Sequence, residues 1–420
     1  MYEEVKIDFG NLLLSLSDAM DLASPDIASH GIRTAFVAWE VGRETGLDAR
    51  RLGKLVAAAL LHDVGALSVE EKVKLMSNEE MDTNPHCIRG AVLLERAGIL
   101  RDLAPVVRSH HRTWREWGPG GHGEECLLSQ ILLLADKMER SVVRGTYVLH
   151  QNQKLREVAR SLANTMIDPD LVESFLAASE RDDFWLDLVS PRLYSQLLHR
   201  GPFCGNMVGL DDLLEVSMVF RDIIDFRSRF TATHSSGVGR SAVLLAEIFG
   251  MSEPEQRLMQ VAGDVHDLGK LAVPNAILDK PEGLTAPEFQ VMKKHTYFTY
   301  TILNSVGGLR QVPEWAAFHH ERLDGKGYPF RVGRDRLDSG ARIMAVADIF
   351  TALAEDRPYR AGLETAKIDR ILNGMADDHK LDRQMTQLLV QNLDHIRPIV
   401  QETQEAMREF YETQFVPAGA

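Results

Sequence analysis

Histidine is where the chemistry of this sequence concentrates. Of its 15 histidines, ten form two series of five: His30, His62, His86, His110 and His111, then His234, His266, His295, His319 and His320. The intervals are 32, 24, 24 and 1 in the first series and 32, 29, 24 and 1 in the second. An aspartate directly follows the second histidine of each, as Asp63 and Asp267. Another comes 25 residues after the first histidine pair, Asp136, and 28 after the second, Asp348. Imidazole and carboxylate are ligands of divalent transition metals, and a carboxylate can be shared by two ions held close together. A single histidine, or a single His-Asp dipeptide, is more often an ordinary core or surface residue. Seven ligand-type residues in one order, written twice, are not explained that way. Neighbouring residues on a helix point about 100° apart, so His266-Asp267 and His319-His320 can each serve two coordination directions.

Such ligands need rigid elements behind them, and the punctuation between them is helical. The first histidine of each series opens a stretch that closes at a glycine sixteen residues on, Gly46 and Gly250, where a helix commonly ends. In the second copy Val238, Leu245, Ile248 and Phe249 share one face of that helix. A capping residue, Asp48 or Ser252, then stands fourteen residues before each His-Asp pair. Ser252 with Glu255 reads as a capping box, and Pro254 is placed where an early-helix proline is tolerated. No run of strand-like alternation is long enough to argue for a sheet. The fold class expected is all-α, as a tandem duplication of one helical domain. The segment 190–212, SPRLYSQLLHRGPFCGNMVGLDD, carries the breakers Gly201-Pro202 and Gly205 before an amphipathic helix starting near Asp211. The domains expected are therefore 1–204 and 205–420.

Composition bounds the partners. A chain of 420 residues, 45% hydrophobic and 26% charged, is globular and long enough for two or three domains. Lys+Arg 47 against Asp+Glu 61 leaves a net charge of −14, which repels polynucleotides. A small anion needs local positive charge to bind such a protein, and metal ions would supply it. The three cysteines, Cys87, Cys126 and Cys204, fit a reducing compartment without a disulfide framework. The start, MYEEVKIDFG, does not read as a signal peptide, and no apolar run approaches the ~20 residues that span a bilayer. The expectation is a cytoplasmic protein without membrane or nucleic-acid polymer partners; a homo-oligomer is compatible with the sequence.

VHDLGK (265–270) followed by HHERLDGKGYP (319–329) resembles the HD-GYP family of metal-dependent phosphodiesterases. The resemblance covers roughly 211–400, with a weaker HD-domain likeness over 20–190. It implies two tandem HD-type domains, the second of HD-GYP type, and hydrolysis of a bacterial cyclic dinucleotide, cyclic di-GMP or cyclic GMP-AMP. It implies two divalent metals: His234, His266, Asp267 and Asp348 on one, and the bridging Asp267 with His295, His319 and His320 on the other. Lys270 matches the family lysine near the scissile phosphate, so Asp267 and Lys270 are the catalytic candidates. Tyr328 of the GYP loop, with Arg357 and Arg360 of DRPYR, matches positions that contact the ligand; Arg360 could grip phosphate bidentately. Ligand type favours iron or manganese, and zinc also fits. Some family members carry a glutamate four residues before the first histidine, which recruits a third metal. Phe230 stands there, so two metals are expected, with the product open between linear dinucleotide and mononucleotides. The DGKGYP segment (324–329) is also an ordinary tight turn, with Gly325 and Gly327 expected at positive φ.

The first copy keeps every ligand type, as His30, His62, Asp63, His86, His110, His111 and Asp136, but little else. Ala66 replaces the lysine. HHRTWREWGPG (110–120) lacks Gly-Tyr-Pro and has Trp114 and Trp117 in the loop. Gly145 and Val148 stand nine and twelve residues beyond Asp136, where arginines are expected. Without positive charge to hold phosphate, transition-state stabilisation there would be poor, so the expected role is a degenerate copy. Two other functions remain open: a broader HD-type nucleotide phosphohydrolase, which Tyr328, Arg357 and Arg360 argue against, and a cyclic dinucleotide receptor without turnover.

Overall fold

A computed structural model describes residues 5–22, 24, 27–77, 83–227, 232–280, 282–356 and 361–416. Regular structure among them is almost entirely helical; the strands are two two-residue segments, Ile7–Asp8 and Met207–Val208, paired with each other. No helix among the described residues is long and apolar enough to cross a membrane. The chain divides into two compact units, Asp8–Met207 and Val208–Pro417, with the segment ending at Ile7 grouped with the second.

Six helices of the first unit position its ligand residues: α1 (Phe9–Asp21), α2 (His30–Glu44), α3 (Ala49–Leu61), α4 (Asn84–Glu95), α5 (Ala104–Arg108) and α6 (Glu124–Ser141). The second unit repeats them as α7 (Leu210–Phe226), α8 (His234–Phe249), α9 (Glu253–Val265), α10 (Ala286–Ser305), α11 (Val312–Ala317) and α12 (Ser339–Ala354). In each unit the helix that opens at the first histidine is central. Thus α2 packs on α3 and α6, and α8 on α9 and α12. The apolar run Leu55–Leu61 of α3 is wholly buried, where truncating one leucine to alanine costs about 2–5 kcal/mol.

The expected caps are present. Gly250 closes α8 at φ 93° and Gly46 follows α2 at φ 78°. The Asp48 side chain accepts from the Arg51 N–H at 2.8 Å, and the Glu255 carboxylate accepts from the Ser252 N–H at 2.9 Å. Glycine also sets how closely helices approach. A Cβ on Gly263 would lie 2.4 Å from the Gly239 Cα, so α8 and α9 cross backbone to backbone. That crossing brings the start of α8, with His234, beside the end of α9, with His266.

Candidate metal centre

Each ligand-type residue of the second unit sits at a helix end or on a buried helix face. His234 is the first residue of α8. His266 caps α9, and Asp267 leads into a tight 3₁₀ turn, Leu268–Ala272, that carries Lys270. His295 lies within α10, His319 and His320 follow α11, and Asp348 lies on α12. All but His320 are buried.

The geometry joins them around one carboxylate. Asp267 Oδ2 is 3.2 Å from His266 Nε2, and Asp267 Oδ1 is 3.4 Å from His295 Nε2 and 4.0 Å from His319 Nε2. His234 Nε2 is 3.2 Å from Asp348 Oδ1, and His320 Nδ1 is 3.9 Å from Asp348 Oδ2. Ligand-type atoms within 4.8 Å of one another form three overlapping sets: His234, His266 and Asp348; His266, Asp267 and His319; His295, His319 and His320. The structure thus brings all seven expected ligands together, with Asp267 between the two groups.

Backbone hydrogen bonds fix which nitrogen each ring presents. His266, His295 and His319 each place Nδ1 on the carbonyl three residues back, Gly263, Met292 and Ala316, at 2.8, 2.7 and 2.7 Å. A carbonyl only accepts, so Nδ1 carries the proton and the Nε2 lone pair points into the cluster. Buried His266 Nε2 makes no well-aligned hydrogen bond and faces the Asp267 carboxylate at 3.2 Å, a position open to a cation. Burial pushes His295 down to about 3 and lowers His319 and His320 as well, leaving neutral rings. Burial works against charge at His234 too, but Glu355 and Asp348 hold it up to about 10. Asp267 is held well below the usual carboxylate range, because Lys270 and His266 outweigh its burial. These donors fit divalent metal ions.

Lys270 Nζ donates to Asp267 Oδ2 at 2.5 Å. Arg227 clamps its turn, donating to the carbonyls of Lys270 and Val273. Tyr328 stands at the rim, its half-buried ring 4.9 Å from that of His320. Gly325 has the expected positive φ, 71°. Gly327 does not; it is needed because a Cβ there would lie 2.5 Å from the Glu321 Cα. The Glu321 carboxylate anchors the loop by accepting from the N–H groups of Phe330 and Arg331 at 2.7 and 3.0 Å. Arg357, Arg360 and Phe230 lie outside the described residues.

The first unit repeats the cluster without the surrounding groups. His30 Nε2 is 3.2 Å from His62 Nε2 and 3.4 Å from Asp136 Oδ1, and His86 Nε2 is 3.5 Å from Asp63 Oδ1. His62 and His110 also place Nδ1 on the carbonyl three residues back. The Ala66 N–H closes the same turn on the Asp63 carbonyl, 2.9 Å, as Lys270 does on Asp267, 2.8 Å. Trp114–Trp117 forms a short helix, tied back through the Trp114 N–H to the Met166 carbonyl. Val148 is buried.

Some positioning residues escape the sequence pattern. Glu355 Oε2 is 3.2 Å from His234 Nδ1 and Glu139 Oε2 is 2.6 Å from His30 Nδ1. They lie seven residues after Asp348 and three after Asp136, so no shared interval marks them. Asp225 and Asp21 do share one, both nine residues before a first histidine. Asp225 accepts from the Ser235 N–H and hydroxyl, and Asp21 from the Gly31 N–H, capping α8 and α2.

Comparison with known proteins places this architecture. HD-domain models match residues 27–141 and 218–385, so the chain holds two HD domains in tandem. The chain resembles HD-GYP phosphodiesterases, its first HD domain lacking the lysine and the Gly-Tyr-Pro loop of the second. It is 27% identical over 400 residues, 93% of each chain, to the 3′3′-cGAMP-specific phosphodiesterase 1 of Vibrio cholerae. It is 41% identical over 139 residues, 33% of this chain and 37% of the other, to a cyclic di-GMP phosphodiesterase response regulator of Xanthomonas campestris. The crystal structure of a cyclic GMP-AMP-specific phosphodiesterase of V. cholerae shares the fold, with a TM-score of 0.62 at 22% identity, covering 93% of this chain and 98% of that one.

Proposed function

We propose that this chain is a metal-dependent phosphodiesterase that hydrolyses a bacterial cyclic dinucleotide, with residues 205–420 as catalytic domain and 1–204 as degenerate copy. The observation that carries the reading is the Asp267 carboxylate, whose two oxygens face His266 and His295 at 3.2 and 3.4 Å. A pair of divalent ions held there would supply an activated water and stabilise charge developing on the phosphoryl oxygens. Iron or manganese suits a set of imidazoles and carboxylates without thiolate.

The chain's own residues supply the rest. Asp267 and Asp348 provide the negative charge that retains cations, and the carbonyl-anchored imidazoles keep their lone pairs aimed. Lys270, held by Arg227 through its backbone, brings a positive charge beside the bridging carboxylate, where it would neutralise the leaving oxygen. Tyr328 borders the entrance, and Arg357 and Arg360 are assigned to the phosphates. Local cationic charge of this kind lets a protein of net charge −14 hold a dianion. Cyclic GMP-AMP is the preferred substrate in this reading, because the V. cholerae relative matched over 93% of both chains is named for it.

The test is product analysis. Metal-loaded protein is incubated with cyclic GMP-AMP, cyclic di-GMP and a mononucleotide ester. The expected result is linear dinucleotide from a cyclic substrate, slowed at least about a thousandfold in Asp267→Ala by loss of the metals. Turnover of the ester alone would mean a broader phosphohydrolase, and binding without turnover a receptor.

A further inference from the structure

Besides Ala66 in place of Lys270, the first-domain cluster differs from its counterpart at two positions that point the same way. Cys87 follows His86 where Thr296 follows His295. The Thr296 hydroxyl is turned back onto the Lys293 carbonyl at 3.0 Å. The buried Cys87 Sγ instead lies 3.7 Å from His86 Nε2 and beside the His110 ring, whose Nδ1 is turned to the Val107 carbonyl. With His111 these residues place four ligand-type atoms within 4.8 Å of one another. The two spacings from His86 Nε2, to Cys87 Sγ and to His110 Nε2, match edges of a tetrahedral zinc shell. Zn–N of about 2.0–2.1 Å and Zn–S of about 2.3 Å give N···N edges of about 3.3–3.4 Å and S···N edges of about 3.6 Å. His86 Nε2 and His110 Nε2 are 3.3 Å apart.

The second difference is Arg140, four residues after Asp136, where Ala352 stands after Asp348. Its Nη1 is 3.2 Å from Asp136 Oδ2, and it also donates to the Leu75 carbonyl. A guanidinium already neutralises the half of the cluster formed by His30, His62 and Asp136, and it repels a dication placed beside it.

We infer that the first domain binds one thiophilic metal ion, zinc by ligand type, in a closed His86-Cys87-His110-His111 site with a structural rather than catalytic role. A thiolate with three imidazoles selects zinc over the harder ions suited to the second domain, and a filled tetrahedral shell leaves no position for water or substrate.

Cobalt(II) loading of the full chain tests this independently of activity, because the second-domain ligands include no sulfur. The expected result is a near-ultraviolet thiolate-to-cobalt charge-transfer band, lost in Cys87→Ser together with about one equivalent of cobalt, while the second-domain cobalt absorption stays. A wild-type protein without the band, or a band that survives in Cys87→Ser, overturns the inference. Should Cys87→Ser fail to fold, the Cys126→Ser/Cys204→Ser double variant decides: it leaves Cys87 as the one thiol, so the band must persist, and its loss would overturn the assignment.

Discussion

His234 uses both ring nitrogens, and the partners divide its work. Nε2 faces Asp348 across 3.2 Å, while Nδ1 faces the Glu355 carboxylate at the same distance. The glutamate takes the Nδ1 side and so turns Nε2 toward Asp348 and the cluster; in the proposed metal site it would position a ligand without being one. Replacing such a partner typically costs 10–100-fold in metal affinity or activity. Glu355→Gln is expected to weaken metal binding in the second domain by about that factor. Competition with a chelator measures it, and unchanged affinity with a lowered Tm would show that Glu355 only packs. This glutamate was not legible from the sequence. A ligand must recur where the metal is, so its spacing repeats in both copies. A supporting carboxylate needs only to reach one nitrogen, and Glu139 does so from inside α6 whereas Glu355 does so from the end of α12. The arginine clamp at Arg227 was hidden for a similar reason, since its guanidinium meets backbone carbonyls that carry no signature.

At the scale of elements, the repeat was readable because helix ends are written in local chemistry. The glycine at the end of α8 and the Ser252–Glu255 box each satisfy backbone groups that any helix leaves open. Loops were less readable. Gly327 signals a left-handed turn by type, yet the structure uses it for close approach to Glu321. Gly269 plays a similar part: a Cβ there would lie 1.9 Å from the His295 carbonyl oxygen, and one on Gly65 in the first domain 2.1 Å from that of His86. This contact presses the His-Asp turn onto the helix carrying the next ligand, reinforced by the Gly269 N–H donating to Thr299 Oγ1 at 2.9 Å. Gly269→Ala must push that turn away. Overpacking of this kind costs about 1–3 kcal/mol, and because Asp267 and Lys270 move with the turn, metal affinity should fall too. Thermal melts with and without metal check both effects; a Tm loss with normal metal content would show that the turn relaxes without moving Asp267.

Across the whole molecule, the two domains hold similar clusters in different company. Only the second has Lys270, Tyr328 and the paired arginines, and positioning a phosphodiester requires such groups beyond metal ligation. His62→Ala with Asp63→Ala is therefore expected to leave a substantial part of the phosphodiesterase rate, and His266→Ala with Asp267→Ala to abolish it. Rate measurements on the two double variants decide; equal losses from both pairs would mean that the first cluster takes part in turnover. The carbonyl-anchored rings offer a further view of both domains. His62, His110, His266, His295 and His319 each keep one N–H on a main-chain oxygen in the interior. Protons so sheltered exchange slowly with solvent and stand apart in a nuclear magnetic resonance spectrum. Five separate imidazole resonances would then report, ring by ring and domain by domain, which ligand lets go first when the protein is warmed or its ions are withdrawn.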